Sequence, residues 1–177
     1  MEFNEVIKCR RSIRKFDTSK KVNKKQVESL IQAAIYAPTW KNSQTARYYC
    51  AVDADAIERV KSCLLGTNKE KSEGASLIVT TFVHNRSGFD REGNPDNECA
   101  NGWGFYDLGL ANENLVLKAY EMGLGTLIMG IRDGEKLREV LSIPDTQTVV
   151  SVIAVGYPDE DPQMPKRKET SDVIEWI

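Results

Sequence analysis

The segment from Ser76 to Val83 is apolar or β-branched at nearly every position, and this pattern limits the folds that are open to the chain. A strand with one face in water would alternate apolar and polar residues, whereas this run predicts a strand that is covered on both faces. A second run of the same kind, from Thr148 to Val155, predicts another buried strand, and residues 47–52 predict a third. We therefore expect a sheet that lies between two layers of helices.

Two helices that could cover this sheet are marked by their apolar periodicity. Asn23 begins the first, with Gln26 three residues later as its capping-box partner, and Pro38 ends it. The longest helix runs from Asn101 to Met122 and is apolar on more than one side, so we predict that part of it forms a subunit interface. The residues predicted on the inner faces are Val27, Leu30, Ile31, Ala34 and Ile35 in the first helix, and Phe105, Leu108, Ala111, Leu115, Ala119 and Met122 in the second.

Shorter elements are predicted from caps and glycines. Residues 2–9 resemble a short helix, Asp53 or Asp55 caps another, and Asp133 caps a third. The glycine-rich stretch from Gly123 to Gly130 lacks the spacing of a dinucleotide fingerprint and is adequately explained as a helix end followed by a short strand. We find no internal repeat or linker and predict a single domain over residues 1–177.

Charge and cysteine content exclude several classes of function. The chain has 24 Lys and Arg against 26 Asp and Glu, a balance that argues against a dedicated nucleic-acid binder. Four cysteines without a C-x-x-C pair, together with a single histidine, lack zinc or iron–sulfur spacing, so we predict no metal site. No apolar run has the length of a membrane helix. We predict a reduced, soluble, cytoplasmic protein.

The stretch from Arg10 to Phe16 is the first candidate for a ligand site. It places three arginines, a lysine and Ser12 within seven residues, directly after the first predicted helix. A guanidinium presents a planar fork of donors that matches phosphate oxygens, so this cluster could hold a small anionic group. The alternative is a solvated basic loop or a weak nucleic-acid patch.

Other segments add candidates. Asn42 and Gln44, in a polar loop after Pro38, could bind the edge of a heterocycle, although polar loops are common. Residues 85–98 form the longest predicted loop, which is either a lid or a mobile connection. The chain ends in an apolar segment, residues 173–177, that we expect to dock on another surface, for example a second subunit. We interpret His84 as structural and Cys99 as an ordinary loop cysteine, and no catalytic acid or base stands out.

Four separated motifs resemble those of one family, the nitroreductase-like flavoproteins that bind flavin mononucleotide (FMN). Residues 10–16 resemble its R-R-S-x-R-x-F signature, and residues 34–44 resemble its A-P-S-x-x-N-x-Q loop. Residues 114–125 are similar to its N-L-x-L-x-A-x-x-x-G-L-G-T segment. Residues 153–158, with the basic pair Lys166-Arg167, are similar to its closing I-x-x-G-Y-P and downstream basic residues. Each motif is weak alone, but the set occurs in the family's order over nearly the whole chain.

The resemblance implies an α+β fold, a three-layer α/β/α sandwich with a mainly antiparallel sheet, in a homodimer whose flavin site lies at the subunit interface. It places Arg10, Ser12, Arg14 and Arg167 at the phosphate and pyrimidine end and Asn42 at the ring edge. It also places the backbone of residues 125–127 near the reactive face. The full set of candidate cofactor-binding residues is Arg10, Arg11, Ser12, Arg14, Asn42, Gln44, Gly125, Thr126, Leu127, Lys166 and Arg167.

The implied function is FMN-dependent reduction of nitroaromatics, quinones or similar acceptors by NADH or NADPH, in two half-reactions at one site. In such an enzyme the flavin carries the chemistry and the protein supplies position and electrostatics. Two alternatives stay open: a module that stores or senses FMN without turnover, and a specialised reaction such as dehalogenation or flavin breakdown. Trp40 and Lys41 replace the usual small residues of the loop, and Thr45-Ala46 replaces its Pro-Trp, which bears on substrate choice.

Overall fold

A computed structural model describes residues 2–177, and its centre is a four-stranded sheet. The strands are β1 (Ala46–Ala51), β2 (Ser76–Val83), β3 (Gly125–Met129) and β4 (Gln147–Gly156). They lie in the order β1-β2-β4-β3, and all three neighbouring pairs are antiparallel. β2 and β4, the two continuously apolar runs of the sequence, therefore occupy the middle of the sheet.

Helices cover both faces of this sheet. They are α1 (Phe3–Cys9), α2 (Lys24–Ala34), α3 (Ala54–Lys61), α4 (Asn68–Lys71), α5 (Gly102–Glu121) and α6 (Gly134–Leu141). Leu77 and Val79 of β2 belong to the core on one face with residues of α3 and α6, whereas Ile78 belongs to the core on the other face with residues of α2 and α5. Successive residues of β2 point to opposite faces of the sheet. Because each face is covered by helices, the residues on both faces must be apolar. The predicted three-layer α+β fold is confirmed.

The helix caps follow the sequence, while two predictions of inner-face residues were wrong. Asn23 and Gln26 form the predicted capping box at α2, and α2 ends at Ala34. Ile35 is the C-cap of α2 and still donates to Ile31 O at 3.0 Å, but its side chain is 59% exposed, because it lies past the end of the buried stripe formed by Val27, Leu30 and Ala34. In α5, Phe105 is 49% exposed, although its ring edge meets Phe82 with 4.8 Å between centroids. The buried residues in the first two turns of α5 are Gly104, Asp107 and Leu108 instead.

The arginine stretch, residues 10–16, runs beside one end of the sheet. Ile13 N donates to Thr126 O at 2.9 Å, and Asp17 N donates to Tyr157 O at 2.9 Å. The Ile13 and Phe16 side chains are buried in the core. A Cβ on Gly125 would lie 2.6 Å from Ile13 Cγ1, and a Cβ on Gly156 would lie 2.7 Å from Phe16 Cδ1. The two glycines therefore make room for the side chains that hold the stretch in place.

The segment after β4 lies on the surface. Residues 163–177 are exposed, and Trp176 keeps 91% of its accessible area.

Within residues 2–177, none of the helices combines the length and the apolar character needed to cross a bilayer.

We expect Gly156→Ala to lower the free energy of unfolding by about 1–3 kcal/mol, because the new methyl group would overlap the Phe16 ring. Gly130→Ala is the matched control, since a Cβ at Gly130, just after β3, meets no atom within 4 Å. Urea unfolding followed by circular dichroism measures both. Equal stability of the two variants would contradict the proposed packing of Phe16.

Candidate functional site

The basic side chains of the arginine stretch differ in how many of their donors are already used. Arg11 Nη1 donates to Lys8 O at 2.8 Å and Arg10 O at 2.7 Å, so this guanidinium binds the carboxyl end of α1. Arg14 Nη1 donates to Ser12 O at 3.1 Å, and the Arg14 amide donates to the Glu160 carboxylate. Lys15 is paired with Asp159 at 2.8 Å, and this hydrogen bond raises the pKa of the lysine.

Arg10 and Ser12 are the free donors of this stretch. Within residues 2–177, neither the Arg10 guanidinium nor the Ser12 hydroxyl has a hydrogen-bond partner. Ser12 lies next to the first residues of β3, because it forms an isolated parallel bridge with Thr126, and Arg10 precedes it by two residues at the end of α1. A guanidinium and a hydroxyl that are half-buried and lack partners can bind an anionic oxygen there.

The predicted glycine-rich segment forms β3, the edge strand next to β4. Gly125, Thr126 and Leu127 are buried, whereas Ile128 and Ile131 are 51% and 65% exposed. The exposed apolar surface of this segment therefore begins at Ile128, directly after the predicted cofactor-binding residues 125–127.

Asn68 was missed in the sequence. Its side-chain amide donates to Ile131 O at 2.9 Å and joins the start of α4 to the segment just after β3. No motif marked this residue, since the contact depends on a fold that brings residues 68 and 131 together.

The Asn42 loop, residues 38–44, is the second candidate group. Lys41, Asn42 and Gln44 have φ values of 46°, 55° and 48°, in the left-handed region that side chains other than glycine rarely adopt. Gln44 Nε2 donates to Asn42 Oδ1 at 3.1 Å, so the structure brings the two predicted amides together. A backbone strained at three positions persists only where its surroundings determine it strongly.

Asp107 supplies one of those determinants. Its carboxylate is 3% exposed and accepts a hydrogen bond from Trp40 N at 3.0 Å and another from the Ser87 hydroxyl. The residue is the only acidic one on the buried, mainly apolar face of α5 in the described chain, next to Leu108. A lone acidic residue in an apolar stripe was the available signal, and we missed it by placing Phe105 on that face.

The long loop from residue 85 to 98 supplies further contacts to the Asn42 loop. Asp96 accepts from Trp40 Nε1 at 3.0 Å and pairs with Lys41 Nζ at 2.8 Å. The Trp40 ring also packs against Trp103, with 4.3 Å between centroids. Trp40 and Lys41, the residues that depart from the family's loop, are therefore the ones that hold the two loops together.

Within one chain, the arginine stretch and the Asn42 loop lie at opposite ends of the sheet. Residue 46, just after the Asn42 loop, is in register with Phe82 and through it with Thr148, whereas Gly125 is in register with Gly156. The eight residue steps from 148 to 156 correspond to about 26 Å of strand. Along α5, Asp107 contacts the Asn42 loop and Tyr120 contacts Cys9 beside Arg10. The thirteen residue steps from Asp107 to Tyr120 span about 20 Å of helix.

The basic pair Lys166-Arg167 is not brought to either group within the chain. Both side chains are exposed, and the hydrogen bonds of residues 163–177 are local ones, such as Asp172 N to Glu169 O at 3.0 Å. Their assignment to the phosphate stays a prediction. Within residues 2–177, no group of three His, Cys, Asp or Glu side chains is placed to hold a metal ion.

We expect Asp107→Ala to destabilise the protein by about 2–4 kcal/mol, because Trp40 N and the Ser87 hydroxyl would be left buried without an acceptor. Asp96→Ala is the control. Asp96 also contacts the Asn42 loop, but its ion pair with Lys41 is exposed, so losing this pair should cost less than about 1 kcal/mol. Thermal unfolding gives both values, and near-UV circular dichroism reports the Trp40–Trp103 contact. Equal loss of stability in both variants would contradict the role assigned to the buried carboxylate.

Comparison with known proteins agrees with this geometry. An NADPH-flavin oxidoreductase from Vibrio harveyi is 27% identical over 176 residues, which cover 96% of this chain and 71% of that protein. The crystal structure of a nitroreductase family protein from Streptococcus pneumoniae has a TM-score of 0.86 at 24% identity, covering 99% of this chain and 100% of the other. An oxidoreductase containing FMN has a TM-score of 0.82 at 23% identity, covering 99% and 91%. The family model described as the Nitroreductase family matches residues 7–157, and the chain therefore belongs to the Nitroreductase family.

Proposed function

We propose that this protein is an FMN-dependent NAD(P)H oxidoreductase that reduces nitroaromatics, quinones or similar acceptors in two successive half-reactions. One observation carries the proposal: the Arg10 guanidinium and the Ser12 hydroxyl lie beside β3 without partners within the described chain, as a phosphate-binding pair would. Membership of the family supports a redox function. The Vibrio harveyi relative is named as an NADPH-flavin oxidoreductase, which favours flavin as the cofactor here as well.

The residues present fit FMN. Its phosphate is a dianion that needs charged and hydroxyl donors, and Arg10, Ser12 and Arg14 offer them at one end of β3. Asn42 and Gln44 offer amide groups suited to the polar edge of the ring. When bound, FMN would supply the ring that accepts a hydride and passes electrons on.

The remaining work belongs to the chain's own residues. The exposed Ile128 and Ile131 present an apolar surface beyond the buried part of β3, suited to excluding water from a planar ring. Asn68 fixes the backbone at Ile131 through its 2.9 Å hydrogen bond. Asp107 and Asp96 hold the Asn42 loop in its left-handed conformation, so that the amides are oriented before a ligand binds.

The site would be assembled from two copies of this chain. The arginine stretch and the Asn42 loop are separated by the length of α5, so one ligand that uses both would take one group from each subunit. Large apolar side chains that are exposed in the single chain support such an interface: Phe3, Tyr36 and Trp176 are 69%, 76% and 91% exposed. Burial of such groups drives stable association. Lys166 and Arg167 would reach a phosphate most readily from a partner's C-terminal segment.

The first test is an absorption spectrum of the purified protein with FMN, before and after anaerobic addition of NADH and then NADPH. We expect the flavin band to bleach with at least one of the two nucleotides. A band that persists with both nucleotides and bleaches with dithionite would favour a storage or sensing module, or a specialised flavin reaction. No binding of FMN would overturn the proposal.

The second test mixes two defective chains, Arg10→Ala and Asn42→Ala. Each should bind FMN about 10–100-fold more weakly as a homodimer, since a charged or buried hydrogen bond contributes about 1.5–3 kcal/mol. A mixed dimer contains one site with both residues intact, and we expect about half of the unmodified protein's flavin-binding sites at full affinity. Co-expression with two affinity tags isolates the mixed dimer.

The matched control for this mixture is Lys24→Ala, which removes an exposed charge at the start of α2 and should leave FMN affinity unchanged. Mixing two copies of the Arg10→Ala chain under different tags controls for the tags themselves. A mixed dimer that binds no better than its parents would contradict a site shared between subunits.

A further inference from the structure

A cleft of about 890 Å³ lies beside the Asn42 loop, between the start of β1, the end of β2 and residues 86–92. Four basic side chains line it, against two acidic ones, Asp90 and Glu92. The basic residues are Lys41, Arg47, Arg86 and Arg91. Its size is within the range of small-molecule sites, which is about 300–1,000 Å³.

The positive charge of this cationic cleft is only partly compensated. Lys41 is paired with Asp96 at 2.8 Å, and Arg47 Nη1 donates to two backbone carbonyls, those of Gln44 and Ala46, at 2.9 and 2.8 Å. Arg86 and Arg91 are exposed and have no carboxylate within ion-pair distance in the described chain. Two guanidiniums are thus free to bind an anion.

The acidic residues of the cleft form no ion pair with these arginines within residues 2–177. Asp90 accepts from Asn94 N at 2.7 Å and from Asn94 Nδ2 at 3.2 Å, so its carboxylate serves its own turn. The hydrogen bond from the Asn94 amide lowers the pKa of Asp90. Glu92 forms no ion pair among residues 2–177.

The wall of the cleft also contains two hydroxyls without partners. The Ser43 and Thr45 hydroxyl oxygens are buried, and neither forms a hydrogen bond within the described chain. Thr45 is 2% exposed as a whole residue. A buried hydroxyl without a partner costs free energy, so these two hydroxyls mark the wall of the cleft as a place where polar groups lack partners within the described chain. Phe89, half-buried in the same wall, offers a ring face for stacking.

We propose that the cationic cleft binds the adenosine end of the electron donor, with Arg86 and Arg91 on a phosphate monoester. This inference rests on the proposed oxidoreductase function and deepens it, because it makes NADPH the preferred donor. A phosphate monoester carries close to two negative charges at neutral pH, which two free guanidiniums match. NADH lacks this group and has only the diphosphate that both donors share.

The position of the cleft supports this assignment. Lys41 and Ser43 line it, and they flank Asn42, the residue proposed at the edge of the flavin ring. A donor whose nicotinamide stacks on the flavin would therefore reach the cleft with its other end. A neutral quinone or nitroaromatic acceptor would gain little from four basic side chains.

The test uses the FMN-loaded protein and the double variant Arg86→Gln/Arg91→Gln. In anaerobic stopped-flow reduction we expect the apparent Kd for NADPH to rise about 10–100-fold, as expected for losing charge-assisted hydrogen bonds. The Kd for NADH should change less than about threefold, and the limiting rate of reduction with either donor should stay the same. Both side chains are exposed and without intramolecular bonds, so the fold should survive, and thermal unfolding checks this.

Two single variants serve as controls. Glu92→Gln removes a negative charge from the same cleft and should tighten NADPH binding. Arg59→Gln removes an exposed positive charge on α3, outside the cleft, and should leave both donors unaffected. Equal weakening of NADPH and NADH in the double variant would move the contact to the shared diphosphate and overturn the monoester assignment. No change in either donor would overturn the cleft itself.

A binding measurement separates this inference from the proposed function. Calorimetry with 2′,5′-ADP and with 5′-AMP requires no turnover, and we expect 2′,5′-ADP to bind the unmodified protein and to lose at least tenfold in affinity in the double variant. If neither nucleotide donor reduces the flavin and 2′,5′-ADP still binds in this manner, the proposed function fails and the cleft assignment stands. If the flavin is reduced and 2′,5′-ADP shows no preference over 5′-AMP, the cleft assignment fails alone.

Discussion

The close approach of the arginine stretch to the end of the sheet is the contact on which the rest of this structure depends. It is possible only because Gly125 and Gly156, paired across β3 and β4, leave space for Ile13 and Phe16. These two side chains are core residues, so burial fixes the stretch together with the backbone hydrogen bonds of Ile13 and Asp17 to the ends of the sheet. The basic residues of this stretch are thereby held near one end of β3, and the Arg10 guanidinium and the Ser12 hydroxyl have no hydrogen-bond partner within residues 2–177.

That contact also sets the separation of the two candidate groups. The sheet and α5 span the chain from the arginine stretch to the Asn42 loop, and both are packed along their whole length. A long buried helix cannot shorten to bring its ends together, so no loop movement within one chain closes the distance. The proposed two-chain site is therefore a consequence of the rigid middle of the fold, and the exposed apolar residues of α1 and the C-terminal segment are the surface that such an arrangement would cover.

Features of the fold that depend on short-range patterns could be predicted from the sequence. The continuously apolar β2 and β4, the Asn23–Gln26 capping box and the Asp133 cap each follow from neighbouring residues alone. The failures concern contacts between distant segments. Asn68 at Ile131 and Asp96 at Trp40 have no local signature, because a single hydrogen bond across 56 or more residues leaves no periodic trace. Asp107 does have a local signature, since it is an acidic residue within a mainly apolar stripe. It was overlooked because Phe105 fitted the same helical spacing.

The Asn42 loop shows how one segment can serve two ligands. Odd-numbered residues from Lys41 to Arg47 line the cationic cleft, whereas the even-numbered residues 44, 46 and 48 line a second, smaller cavity of about 140 Å³, which Arg47 also borders. Gln44 also bonds to Asn42, which places the predicted ring-edge amides on this even-numbered side. The strand period of two begins only at Ala46, the first residue of β1, so the residues before it are distributed between the two cavities by the turn itself. The left-handed backbone at Lys41, Asn42 and Gln44 therefore decides which side chains of the loop border each cavity, and the contacts from Asp107 and Asp96 that hold this backbone would affect both proposed ligands.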